Sequence, residues 1–143
     1  TKPISILQSN SLLQTTLLEN LIGKEPIDIS EVWKILSKLD LESTIRKLPL
    51  GLLTPINYAE TLFSNNQQKR LLLAYGLLHA SPILLIDNIL TQTTNETHTK
   101  INYLLKDSNK TIIIVSNNKD LTQLADKVLT IKNKSIKQLS TTS

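Results

Sequence analysis

Two periods of apolar residues alternate along the chain, and each change of period marks a change of predicted element. Residues 4 to 7 alternate weakly and stop at Gln8, the pattern of a short strand entering a polar loop. Thr16 and Glu19 have the spacing of a capping box, in which hydroxyl and carboxylate each satisfy a free backbone N–H, so a short helix is predicted over Leu17 to Ile22. Gly23 and Pro26 stop it. Val32, Ile35, Leu36 and Leu39 then fall on one face of a longer helix, for which Ser30 is the expected cap. Trp33 lies beside that stripe, where a lone Trp is expected to anchor packing. From Leu48 to Pro55 the Pro and Gly content predicts a loop.

Ser64 and Gln67 form a second capping box and open a helix that should run to about His79. Leu71, Leu72, Leu73, Ala74, Leu77 and Leu78 cover much of its circumference, which predicts a largely buried helix. Pro82 ends it, and the apolar run Ile83 to Ile86 suits a central parallel strand covered on both faces. Asn95 or Thr94 is the expected cap of the next helix, with Ile101, Leu104 and Leu105 facing inward. Thr111 to Val115 reads as a second buried strand, and Asn118 as the cap of a short helix through Leu121 and Leu124. Lys127 to Lys132 should turn at Asn133-Lys134 into a last strand near Ile136 to Leu139, ahead of a disordered Ser/Thr-rich tail at residues 140 to 143. Strands alternating with helices in the second half predict an α/β layer fold, while the middle of the first half reads as helical.

Composition narrows the chemistry. With 143 residues and 40% apolar content, one compact domain is expected, and no apolar run approaches the length of a membrane helix. There is no Cys and only two His, which excludes disulfides and thiolate sites and leaves neither zinc nor haem expected. Any metal chemistry must be carried by carboxylates. The net charge of +4 comes mostly from scattered Lys, with a cluster at Lys127, Lys132, Lys134 and Lys137. Aromatic residues for base stacking are scarce, so a solvated surface is expected rather than nucleic-acid binding. The chain has no Met, not even at position 1, and opens on what reads as the inside of a strand. It is therefore expected to be a segment of a longer protein.

A set of motifs in order carries the functional reading. Gln8, followed by Leu13, Thr16, Glu19 and Asn20, resembles the Q-loop and the T-I-x-E-N-I run after it in ABC transporter ATPases. Trp33, Leu48-Pro49, Gly51 and Thr54 resemble the exporter pattern W … L-P-x-G-x-x-T. Phe63-Ser64-Asn65-Asn66-Gln67 stands where that family has its L-S-G-G-Q signature, and Ile83 to Asp87 is similar to its Walker B strand. Thr91 to Thr94 resembles the D-loop without its carboxylate, Thr111 to Asn117 the strand ending in the switch histidine, and Ala125-Asp126 the A-D before a late strand. The resemblance covers nearly the whole chain and corresponds to an exporter-type ATP-binding domain from the Q-loop onward.

That resemblance implies ATP and Mg²⁺ as cofactors. It implies that Ser64, Asn65, Asn66 and Gln67 face ATP held by an opposite subunit, where a hydroxyl, free N–H groups and the helix dipole capture phosphate. Asn at 65 and 66 adds side chains where the family has bare backbone, although Asn keeps some tolerance for positive φ. Ser64 serves equally well as a plain helix cap, through the same hydrogen bonds. Asp87, with Gln8, stands at the Mg²⁺ positions. Asn88 occupies the place of the catalytic Glu and Asn117 that of the switch His. An amide cannot take a proton near neutral pH, and losing a general base costs roughly 10²- to 10⁴-fold in rate. No G-x-x-x-x-G-K-S/T is present, so the cradle for the β- and γ-phosphates is either cut off upstream or lost.

The expected fold is thus α/β, a P-loop-NTPase-like (RecA-like) parallel sheet without its Walker A strand, plus a helical signature subdomain. Residues 1 to 8 should lead into the Q-loop, 9 to 80 form the helical subdomain, and 81 to 139 the α/β core. The resemblance implies a domain of an ABC exporter, degenerate at its catalytic positions. Its implied partners are a transmembrane domain and a second nucleotide-binding domain, at the cytoplasmic face of a membrane. The alternative is a non-enzymatic protein-interaction module on the same scaffold. Without the P-loop strand the sheet should expose apolar edge, so the segment is expected either to self-associate or to fold its C-terminal hairpin into the open place.

Overall fold

The computed structural model describes residues 4–7, 15–87 and 95–139. Its elements in chain order are β1 (Ile4–Leu7), α1 (Leu17–Ile22), α2 (Ile29–Lys38), α3 (Glu42–Arg46), α4 (Ala59–Leu62), α5 (Asn65–Leu78), β2 (Ile83–Asp87), α6 (Asn95–Asp107), β3 (Thr111–Val115), β4 (Val128–Lys132) and β5 (Ser135–Leu139). Short 3-10 turns stand at Gly51–Leu53, Ile56–Tyr58 and Lys119–Leu124. Among the described residues, no helix is long and apolar enough to cross a membrane.

The first three strands form one parallel sheet in the order β1-β2-β3. Its register places Leu7 opposite Ile86, and Ile86 opposite Ile114. Along the chain, every helix from α1 to α5 therefore comes between β1 and β2, which are neighbours in the sheet. One face of that sheet carries the core: Leu7, Leu84 and Ile86 are fully buried and join Leu17, Leu21, Val32, Leu36, Leu39, Leu41, Ile45, Leu71 and Leu73 in one cluster. Helix α5 lies directly on it, and Gly76 explains how. A Cβ there would come within 2.7 Å of Leu84 Cδ1 and 2.8 Å of Leu7 Cδ1.

The other face differs from expectation. The second run is not covered on both sides, since Ile113 and Val115 in β3 are 50% and 52% exposed and Ile4 and Ile6 in β1 are similarly open, whereas Ile83 and Leu85 of the central β2 are half-buried. Only alternate residues of each strand reach the core, because the described helices pack on one face. The hairpin is also placed differently from the expected infill. Strands β4 and β5 pair antiparallel with each other in a separate sheet and do not join β3. Asn133 and Lys134 close it with φ of 49° and 62°, the two successive left-handed residues of a two-residue hairpin turn.

Two of the five expected caps form as the spacing predicts. Both predicted boxes form, at Thr16 with Glu19 and at Ser64 with Gln67. At α2, however, Asp28 rather than Ser30 is the cap, its Oδ1 accepting from the Ser30 N–H at 2.8 Å. The Asp28 carboxylate, two residues earlier, starts the helix sooner, satisfies a free donor at its first turn and favours the positive end of the helix. At Asn118 the backbone N–H donates to Ser116 Oγ at 3.0 Å, and the turn that follows is 3-10 rather than the expected α-helix. Asn95 is the first residue of α6, and Thr94 lies outside the described residues.

Candidate functional site

Helix α5 begins in a closed hydrogen-bond ring. Ser64 Oγ accepts from the Gln67 N–H at 3.3 Å, and Gln67 Oε1 accepts from the Ser64 N–H at 2.9 Å. Gln67 Nε2 reaches on to Thr44 Oγ1 in α3 at 3.3 Å, and Gln68 Nε2 to the Phe63 carbonyl at 3.0 Å. Phe63 is buried beneath this turn, while Ser64, Asn65 and Asn66 face solvent. Arg70 then braces the helix, Nε donating to the Asn66 carbonyl at 3.3 Å and a terminal nitrogen to the Leu39 carbonyl at 3.0 Å.

This geometry corrects one expectation. Asn65 and Asn66 are the first helical residues, and neither has positive φ. The backbone freedom of glycine is therefore not what these positions use. What the two Asn residues change is steric: each adds an amide side chain to the exposed first turn of a 14-residue helix, at its positive end.

Asp87 ends β2, half-buried, directly across from Val115 at the end of β3. One residue further, Ser116 and Asn117 turn the chain, with Asn117 exposed and Ser116 holding the turn through the Asn118 N–H. The two apolar runs thus lie side by side in one sheet and bring Asp87 and Asn117 to the same strand ends. Gln8, Asn88 and the stretch 91–94 lie outside the described residues. Among the described residues no cluster of three or more His, Cys, Asp or Glu could hold a metal. A single strand-end carboxylate still fits Mg²⁺, which binds through one or two carboxylates plus substrate phosphates rather than in a protein cage.

Two features escaped the sequence reading. Trp33 is held under Arg46, whose guanidinium carbon sits 4.0 Å from the ring centroid, and Arg46 is itself paired with Glu42 at 2.9 Å. The second is a joint of charged groups around His79, where α5 turns into β2; only the Lys that precedes the β3 run hinted at it. A groove of about 740 Å³ between α2 and α6, with Leu104 and Tyr103 on its wall, includes none of the expected site residues.

No protein-family model matches the sequence. Individual relatives do. The chain is 31% identical over 121 residues to the ATP-dependent lipid A-core flippase of Neisseria gonorrhoeae, which covers 82% of this chain and 20% of the flippase. It is 31% identical over 144 residues to the multidrug resistance-like ATP-binding protein MdlA of Buchnera aphidicola, covering 96% of this chain and 25% of that protein. It is 28% identical over 131 residues to the mating factor M secretion protein mam1 of Schizosaccharomyces pombe, covering 92% of this chain and 10% of that one. The fold matches a bacterial Atm1-family ABC exporter solved with ATP bound, at a TM-score of 0.77 and 21% identity over 92% of this chain and 24% of that chain. The chain spans only a tenth to a quarter of the length of these curated relatives. Over the stretch it does span, it belongs to the ABC exporter family.

Proposed function

We propose that this chain forms the signature and Walker B part of an exporter nucleotide-binding domain that binds ATP between subunits and hydrolyses it weakly or not at all. The observation that carries this reading is the joint placement of Asp87 and Asn117 at neighbouring parallel strand ends, with a Ser-capped, solvent-facing helix start at Ser64 feeding the same sheet. In this reading Asp87, together with Gln8, meets Mg²⁺ on the nucleotide. Ser64 and the first turn of α5 meet phosphate held by an opposite domain, and Gln67 keeps that turn in shape. Asn88 and Asn117 stand at the positions for polarising water and sensing the γ-phosphate, and neither can accept a proton there. The bare edge of β3 supports a further strand beside it, as a P-loop-type core requires. ATP supplies the phosphoryl group and the anion; the residues of this chain orient it.

The implied partners are a transmembrane domain and a second nucleotide-binding domain, with the chain at the cytoplasmic face of the membrane. Residues 9 to 80 would then act as the helical subdomain and 81 to 139 as part of the core. Calorimetric titration of MgATP into a chain extended upstream by the missing part of the domain tests this. Binding is expected, with turnover below ordinary ATPase rates. Asn88→Glu should raise turnover only in the extended chain and leave the 143-residue chain inactive. No binding by the extended chain would favour a protein-interaction module built on the same scaffold, and turnover at ordinary rates without Asn88→Glu would overturn the loss of the base.

A further inference from the structure

Helix α5 passes into strand β2 through His79, Ala80, Ser81 and Pro82, and side chains from three distant parts of the chain close on that joint. From the turn between α1 and α2, the Glu25 carboxylate accepts the Ala80 N–H, at 3.2 Å and 3.4 Å from its two oxygens. From the turn ahead of β3, Lys110 Nζ donates to the carbonyl of His79 at 2.6 Å and to that of Ser81 at 2.7 Å. From β1, Ser5 Oγ donates to Ser81 Oγ at 2.7 Å in a buried contact. The His79 ring packs against Tyr75 at a 40° tilt with centroids 4.1 Å apart, and it closes off Gly23, where a Cβ would come within 2.9 Å of its Cε1.

A helix end needs its last carbonyls satisfied, and a local glycine cap or water would do that. Here a cation from elsewhere in the sequence takes the carbonyl of the capping residue His79, an anion takes the N–H that follows at Ala80, and hydrogen bonds to ionised groups are the stronger kind. Lys110 is partly desolvated by its position, which lowers its pKa, while the nearby Glu25 charge opposes that shift. Such an arrangement fixes the direction of the helix as well as its end.

We propose that Glu25 and Lys110 are positioning residues that clamp α5 to β2, so that Ser64 at one end of the helix and Asp87 at the far end of the strand move as one body. The lever is long. At about 1.5 Å per residue, α5 measures roughly 21 Å, so play of about 10° at the joint would carry Ser64 about 4 Å, more than a hydrogen-bond length. The functional weight of those two ends rests on the reading given above, but the clamp does not, and it is tested without nucleotide.

The chain has no Cys, so Asn66→Cys at the start of α5 and Asn117→Cys beyond β3 are unique sites for spin labels. The distance distribution between them, measured by double electron–electron resonance well below the melting temperature, should be narrow. Lys110→Met should broaden it by about 4 Å, the travel that play of about 10° gives a lever of this length, while Lys110→Arg keeps it narrow. Glu25→Gln should also broaden it, and decides the matter should Lys110→Met fail to fold. A merely structural role would lower the melting temperature and leave the width unchanged. Unchanged width in folded Glu25→Gln or Lys110→Met, or equal broadening in Lys110→Arg, overturns the proposal. A narrow clamp together with silence towards MgATP in the extended chain would overturn only the functional reading.

Discussion

Gly76 sits in the last turn of α5, although glycine is a poor helix former, because two core leucines occupy the space of its missing side chain. Replacing it with Ala should gain about 1 kcal/mol of helix propensity. Pressing a methyl against Leu7 and Leu84, both fully buried, should cost about 1–3 kcal/mol. The second effect should win, so Gly76→Ala is expected to lower the urea midpoint without changing the denaturant slope; a raised midpoint would mean the leucines yield freely. At the same scale, Glu19 shows what a pattern can and cannot convey. Its role in the capping box follows from spacing alone, and hydrogen bonds from the Thr16 backbone and hydroxyl hold its carboxyl below the ordinary glutamate range. A depressed folded pKa gives stability that is full above the unfolded value and is lost as pH falls through the folded one. Glu19→Gln should therefore be less stable than the parent at neutral pH, with the deficit vanishing in acid; thermal melts across that range check the sign, and a deficit that grows in acid would contradict it.

Elements were legible in proportion to how local their causes are. Both capping boxes, the α5 helix, the β2 and β3 strands and the C-terminal hairpin follow from spacing within a few residues. The cap of α2 was misread because Asp28 and Ser30 both suit an N-cap, and which donor is free depends on where the chain enters the helix. The burial of β3 was misread for a different reason. An unbroken apolar run is compatible with cover on both faces, yet in β3 only Ile112 and Ile114 turn towards the core, while Ile113 and Val115 point away. Of the candidate site, Ser64, Asp87 and Asn117 were legible as motif positions, whereas the contacts made by Gln67, Arg70, Glu25 and Lys110 join residues far apart in sequence.

For the molecule as a whole, the open sheet face and the hairpin are the dominant exposed features. Ile4, Ile6, Ile113 and Val115 lie bare on the sheet, and Leu129, Ile131 and Ile136 on one side of the hairpin, with Ile131 74% exposed. Apolar surface of that kind marks contact with other protein, and β3 has no charge or proline to blunt its free edge. The 143-residue chain is therefore expected to sediment above monomer mass at micromolar concentration, and Ile113→Lys to shift it towards monomer. A strictly monomeric profile for the parent would show that this surface does not drive association.

The sequence by itself determined the order of the motifs, the helix starts and the strand runs, because each depends on residues close enough to interact along the chain. Only the tertiary structure decided which face of the sheet is covered, that the hairpin stands apart from it, and which charged groups lock α5 onto β2. Those outcomes depend on where distant segments meet in space, and periodicity carries no record of that.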